Sequence, residues 1–280
     1  MPSAVVPNRP LPVYFIGHAG VGLLFSESPQ NRIVQDNLRA VGEEIRAISP
    51  RPKAILTFSG HFEAGEIHGP GVIEAPFVYE YDWPHEDAPE LATEVWRHIT
   101  KSGIKAKRVE RGVDHGVWVP FKLMFPPENP LDVPVVQVST FYGYDLESQI
   151  RLGEAVTSLR NEGYLIVASG MAVHSFPSIA EIRGAPSDEA RELARQKVLK
   201  ESRDFDTHLR AAVAKRGAAE RRKALVQLQS LPEFRRSHPT VEHFTPLLVA
   251  AGAAGDAEGV VPLGVDVVEP GMSYLNVRFA

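Results

Sequence analysis

The sequence predicts one α/β domain over residues 1–280, a central mixed sheet flanked by helices with a metal site at the carboxyl ends of its strands. Three observations lead there. Short apolar runs alternate with segments of helical periodicity, the pattern of strands and helices in turn. Neither an internal repeat nor a convincing linker divides the chain. Histidines stand close behind three of the apolar runs: His18 after Val13–Ile16, His61 after Ile55–Phe58 and His174 after Leu165–Ala168. In an open α/β sheet, ligands bind outside the carboxyl ends of the strands.

Residues 1–11 are proline-rich and read as an irregular N-terminal segment. A strand at 12–17 leads into the glycine-rich turn 17–22. A helix at 30–48 follows, where Ile33, Val34, Leu38, Val41, Ile45 and Ile48 recur at the spacing of one buried face. Pro50 and Pro52 stop it, and Ala54–Phe58 reads as a buried strand. Residues 62–90 mix glycine, proline and aromatics with little periodicity, which suits a long loop or hairpin over a cleft. A helix at 88–102 and a strand at 105–109 come next, then a short helix, Gly116–Phe125, ended by Pro126 and Pro127.

Val133–Ser139 is another strand and Leu146–Glu162 another helix, and Tyr164–Ser169 is the clearest buried strand of the set. Residues 175–186 are expected to be a loop that shares the pocket walls with 62–90, Arg183 being its cation. The charged, alanine-rich stretch 187–230 reads as mostly helical and surface-lying. Thr240–Ala251 is a final helix behind Pro239, a residue type favoured at the first helical position, and 259–279 hold two closing strands.

The composition narrows the function. Hydrophobic residues make up 44% and charged residues 23%, the balance of an ordinary soluble globule. A net charge of −5 gives no basic footprint, so nucleic acid is not expected as a partner. No apolar run approaches the roughly 20 residues a bilayer requires. The N-terminus lacks a positive region followed by an apolar core, so no secretory signal is predicted and a cytoplasmic location is expected. With no cysteine in the chain, disulfides and thiolate metal sites are both excluded. Any metal centre must use nitrogen and oxygen.

The candidate ligands are histidines in distinctive settings: His18 in Phe-Ile-Gly-His, His61 in Thr-Phe-Ser-Gly-His-Phe, His115 in Val-Asp-His-Gly-Val-Trp-Val-Pro, His174 in Ser-Gly-Met-Ala-Val-His and His243 in Pro-Thr-Val-Glu-His-Phe-Thr-Pro-Leu. Imidazoles gathered at strand ends point to a mononuclear centre of nitrogen ligands. His68, His85, His98 and His208 read as ordinary core or surface histidines, although the loop of His85 could cover a site. His238 reads as a cap for the last helix or a support for His243. Gly17-His-Ala-Gly-Val-Gly has the wrong spacing for a dinucleotide fingerprint, and its glycines instead let the backbone bend around His18. His-Glu-x-x-His is absent, and Ser59 and Ser169 lack the G-x-S-x-G pattern of a nucleophile elbow.

Taken in order, these motifs resemble the class III extradiol ring-cleavage dioxygenases, in the DOPA-dioxygenase-like branch. Asp114–Pro120 and Pro239–Leu247 carry most of the resemblance, which covers roughly residues 12–279. It implies a single α/β domain holding one ferrous ion, with His18, His61 and His243 as ligands. It further implies His174 as a histidine facing the metal, acid/base catalyst or fourth ligand, and His115 as the hydrogen-bond partner of substrate or oxygen. The family's His-Gly-Ser-Pro, Ser-Ala-His-Trp and Ser-Gly-Asn are here His18-Ala-Gly-Val, Ser59-Gly-His-Phe and Ser169-Gly-Met. No histidine is lost, but the pocket lining differs.

The resemblance implies that a catechol, DOPA- or caffeate-like, and dioxygen are the reactants and a muconic semialdehyde-type chain the product. Neutral imidazoles suit Fe(II), three facial ligands leave positions open for both reactants, and an imidazole near pH 7 suits proton transfer. Purified protein can instead carry zinc, which is redox-inactive. The alternatives left open are a non-catalytic zinc-binding scaffold on the same fold and a zinc-dependent hydrolase using His174 as base. The sequence assigns no oligomeric state.

Overall fold

The computed structural model describes residues 9–64, 89–109, 112–143 and 145–280. Four strands run parallel: β1 (Val13–Gly17), β2 (Ala54–Ala64), β3 (Val135–Phe141) and β4 (Tyr164–Gly170). Two short ones, β6 (Gly259–Val260) and β9 (Val277–Phe279), close one edge; β9 is antiparallel to both β1 and β6. The order is β3-β2-β4-β1-β9-β6, a mixed sheet.

Its central strands are apolar on both faces, as a sheet covered on two sides requires. Successive side chains alternate: Val13, Phe15, Leu56, Phe58, Ile166 and Ala168 enter one core, Tyr14, Ile16, Ile55, Leu165 and Val167 the other. Truncating one of these, such as Leu56 or Ile166 to alanine, costs about 2–5 kcal/mol. On the second face lie α1 (Pro29–Arg46) and α3 (His115–Met124). On the first lie α2 (Pro89–Lys101), α4 (Leu146–Val156) and α9 (Thr245–Ala254). Every residue of α9 is buried, which its uniformly apolar sequence demands. Gly153 and Gly252 let α4 and α9 touch backbone to backbone; a Cβ at either would fall 2.0 Å from Val249 O or 2.1 Å from Ile150 O.

The remaining helices are α5 (Phe176–Arg183), α6 (Asp188–Val213), α7 (Ala218–Gln227) and α8 (Phe234–Ser237), of which α6 packs on a small antiparallel sheet. That sheet joins β5 (Val173–His174), β8 (Met272–Ser273) and β7 (Val268–Glu269) in this order.

Several boundaries differ from the sequence expectation. β2 continues past Phe58 through a register shift against β3, so His61 lies within the strand. Residues 105–109 pair with no described strand: Lys105, Lys107 and Arg108 give no face to bury, Val109 is exposed, and Ala106 O accepts from the Trp96 indole. Helix α5 replaces the loop expected at 175–186, its start fixed by the Ser175 hydroxyl accepting from Ser178 N–H and by Pro177 in the first turn. The last helix begins at Thr245 rather than Thr240, because Pro246 and not Pro239 occupies its first turn. The helix from Leu146 stops at Val156 and tightens into a 3₁₀ turn over Thr157–Glu162. The stretch 187–230 is helical as expected, yet Phe205, Leu209, Val213 and Leu225 face the core. Four short strands stand where two closing strands were expected. Most of the expected loop at 62–90, with His68 and His85, and residues 1–8 lie outside the described residues.

Candidate metal centre

The five singled-out histidines meet at the carboxyl end of the parallel strands. His18 directly follows β1, His61 lies in β2, His115 opens α3, His174 ends β5, and His243 sits in the turn before α9. His61 Nε2 lies 3.2 Å from His18 Nε2 and 3.3 Å from His243 Nε2. Two nitrogens bound to one ion at about 2.1 Å, at octahedral to tetrahedral angles, stand about 3.0–3.4 Å apart. The donor set and spacing therefore fit a shared metal ion. His115 packs on His61 with ring centroids 3.9 Å apart, and His174 stacks on His243 at 3.7 Å. His174, Glu242 and His243 form a second, overlapping cluster, but His243 Nδ1 there faces the Glu242 carboxylate at 3.0 Å.

Burial keeps the rings of His18, His61, His174 and His243 uncharged. Desolvation, then the neighbouring imidazoles, holds His18 and His243 well below the usual histidine range, and desolvation brings His61 down to about 3. Burial likewise lowers His174. Neutral imidazoles at pH 7 offer lone pairs to a metal and a base for a proton. Burial, then Glu242, pushes the half-buried Glu63 carboxyl up to about 7.

A hydrogen-bond layer behind the rings went unnoticed in the sequence. β4 ends in Ser169-Gly170 and β2 carries Ser59-Gly60 just before His61, and Ser59 and Ser169 are register partners. Ser59 Oγ donates to Asp114 Oδ1 at 2.7 Å and accepts from His61 N–H; Gln137 holds the other carboxylate oxygen at 2.6 Å. Ser169 Oγ lies 3.0 Å from His18 Nδ1 and donates to Gly116 O. The glycines serve a different end. A Cβ at Gly60 would sit 2.9 Å from Glu242 O and one at Gly170 2.3 Å from His243 O, so only glycine admits the turn that presents His243. The repeated Ser-Gly was the available signal. On the far side, His243 Nδ1–H donates to Glu242, whose carboxylate also accepts from Thr240 Oγ1 at 2.8 Å.

His238 caps nothing in α9. Its ring is fully buried among Phe205, Phe234 and Phe244, and Nε2–H donates to Ala172 O at 2.9 Å, two residues before His174. His208 is exposed and His98 pairs with Ser158 and Glu162 at the surface, as their sequence settings suggested. Phe176 stands 61% exposed with its ring 4.7 Å from His174. Arg183 instead lies in the last turn of α5, about 10 Å along the helix from Phe176.

Comparison with known proteins agrees with this geometry. The catalytic LigB subunit of aromatic ring-opening dioxygenase matches residues 12–279. The chain is 30% identical over 257 residues to the 4,5-DOPA dioxygenase extradiol of Beta vulgaris, covering 87% of each. It is 29% identical over 278 residues to a 4,5-DOPA dioxygenase extradiol-like protein of Schizosaccharomyces pombe, with 91% of this chain and 88% of the relative covered. The crystal structure of an uncharacterized Escherichia coli K12 protein, 24% identical, superposes with a TM-score of 0.69 over 96% of this chain and 100% of that one, a likeness of fold. No described helix is long and apolar enough to cross a membrane. The chain belongs to the LigB family of aromatic ring-opening dioxygenases, as an extradiol ring-cleavage enzyme of the DOPA-dioxygenase-like branch.

Proposed function

We propose that the protein opens the ring of a catechol beside its hydroxyl pair, adding both atoms of dioxygen to give a muconic semialdehyde-type product. The observation that carries this reading is the convergence of three neutral imidazole Nε2 atoms with two further imidazoles packed against them. His18, His61 and His243 would hold one ferrous ion. That ion, when bound, supplies adjacent open positions for the catechol and dioxygen.

The side chains around it do the rest. His174 is uncharged, half-buried and stacked on His243, so it can take a proton from a catechol hydroxyl and return one as the ring opens. His115, at the first turn of α3, orients the substrate oxygen and offers a hydrogen bond to charge that develops there. Orienting both reactants in one site removes much of the entropy barrier to their meeting. The substrate would be DOPA- or caffeate-like. The test is anaerobic loading with Fe(II), followed by oxygen uptake and product absorbance across a catechol panel. Iron-dependent uptake with a ring-opened product is expected. Metal binding with no uptake on any catechol would favour the zinc scaffold instead, and ester or amide turnover with zinc the hydrolase.

A further inference from the structure

We infer that Ser169 is a positioning residue that locks His18 in the Nδ1–H tautomer and ties it to the helix carrying His115. Pro120 lies inside α3 and has no N–H. The carbonyl four residues earlier, Gly116 O, therefore lacks its ordinary helical donor. The Ser169 hydroxyl donates to it from the end of β4. A serine hydroxyl has one proton to give. With that proton committed to a carbonyl, which can only accept, Ser169 Oγ must accept from His18 Nδ1 across 3.0 Å.

His18 then carries its proton on Nδ1 and presents the Nε2 lone pair to the cluster, where His61 Nε2 stands 3.2 Å away. His18 is 2% and Ser169 0% exposed, so bulk water does not offer a substitute partner for either. The contact is tight on both sides: a Cβ at Gly116 would lie 2.5 Å from Ser59 Oγ and 2.9 Å from His61 Cδ2. The two register-paired serines thus pin the first turn of α3, and with it His115, to the strands bearing His18 and His61. A hydrogen bond on the far nitrogen is what selects the ligating nitrogen of a metal-bound histidine and sets its orientation. The proposal rests on the reading of His18 as a ligand only for its consequence for metal affinity, not for the tautomer itself.

The test is ¹⁵N-labelled, metal-free protein at pH 7.5, with the His18 tautomer read from long-range ¹H–¹⁵N correlations. Wild type should show Nδ1–H alone, and Ser169→Ala a mixture in which Nε2–H is populated. Ser59→Ala, which cuts the neighbouring tether without touching His18, should keep the wild-type tautomer. Ser169→Ala should also weaken Zn(II) binding about 10–100-fold in competition with a chromophoric chelator. Because Ser169→Ala leaves Gly116 O without a donor, Ser169→Ala/Pro120→Ala is measured beside it, the new backbone N–H restoring that bond. The double variant should regain thermal stability yet keep the mixed tautomer and the weaker metal binding. Wild-type His18 found as Nε2–H, or an unchanged tautomer in Ser169→Ala and Ser169→Ala/Pro120→Ala, overturns the proposal. A wild-type Nδ1–H tautomer in a protein that consumes no oxygen with any catechol would sink the ring-cleavage reading and leave this one standing.

Discussion

His174 lies face to face with His243, ring centroids 3.7 Å apart and planes inclined by 14°. A stacked ring is held in place by its partner without having to share that partner's metal. The stack therefore suits a proton carrier beside the ion better than a fourth ligand. His174→Ala is expected to retain most of its iron while kcat falls roughly 10²–10⁴-fold, the usual contribution of a general acid/base. Metal content and turnover measured on one preparation decide it. Loss of iron together with activity would make His174 a ligand.

His238 supplies a pH prediction away from the metal cluster. Burial brings it down to about 3, against an ordinary value near 6.5. Below 6.5 the unfolded chain takes up a proton that the folded chain refuses. The stability is therefore full above 6.5 and is lost as pH falls toward 3, at up to about 1.4 kcal/mol per pH unit for this one group. His238→Gln keeps an N–H for Ala172 O and removes the titration. Urea unfolding of metal-free protein between pH 6 and 4 should show a slope shallower by about one proton, with metal uptake preserved. His243→Ala, by contrast, should lose the metal. The reverse result for the two histidines would reassign the third ligand.

The parallel strands were legible because runs such as Leu165–Ala168 are apolar on both faces, which only a doubly covered sheet explains. The five histidines were legible because each stands in a motif of its own, three of them close behind an apolar run. Packing decided what the sequence could not. Residues 105–109 find no partner edge among the described strands, and Thr240–Phe244, expected to be helical behind Pro239, forms a turn packed against Gly60 and Gly170. The roles of Ser59 and Ser169 depend on a register between strands about 110 residues apart and on an acceptor freed by Pro120. No local pattern encodes that coincidence.

Arg221 illustrates the same limit and yields a stability prediction. Its guanidinium, 1% exposed, donates to Ala257 O at 2.8 Å and to Gly255 O, just past the carboxyl end of α9. Arg160 serves the last turn itself, donating to Ala254 O at 2.8 Å and Ala253 O at 3.2 Å. Together they offset the negative end of the helix that begins directly behind His243. Arg221→Met fills the volume but leaves carbonyls unsatisfied, at an expected cost of about 2–4 kcal/mol. For a domain of this size the midpoint should drop roughly 5–15 °C in a thermal scan. A midpoint within 1 °C or so of wild type would show that water replaces the guanidinium at no cost.

Phe176 bears on the choice of substrate. It is a large apolar ring left mostly exposed, set edge-on to His174 at 4.7 Å, while the cation expected nearby, Arg183, lies at the other end of α5. A ring in that position gives a flat side chain conjugated to a catechol a surface to stack on, and offers no hydrogen-bond partner to a carboxylate. A caffeate-like catechol, whose side chain is flat and conjugated to the ring and can lie against Phe176, is therefore expected to be cleaved with a higher kcat/KM than L-DOPA, whose side chain is saturated. Stacking on an aromatic partner contributes about 0.5–1.5 kcal/mol. Phe176→Ala should accordingly raise KM for the caffeate-like substrate about 2–12-fold, leave kcat nearly unchanged and narrow the preference over L-DOPA. Steady-state kinetics on fully iron-loaded enzyme separate the outcomes. A clear preference for L-DOPA, or a Phe176→Ala variant that changes neither KM nor the ratio, would remove Phe176 from substrate selection.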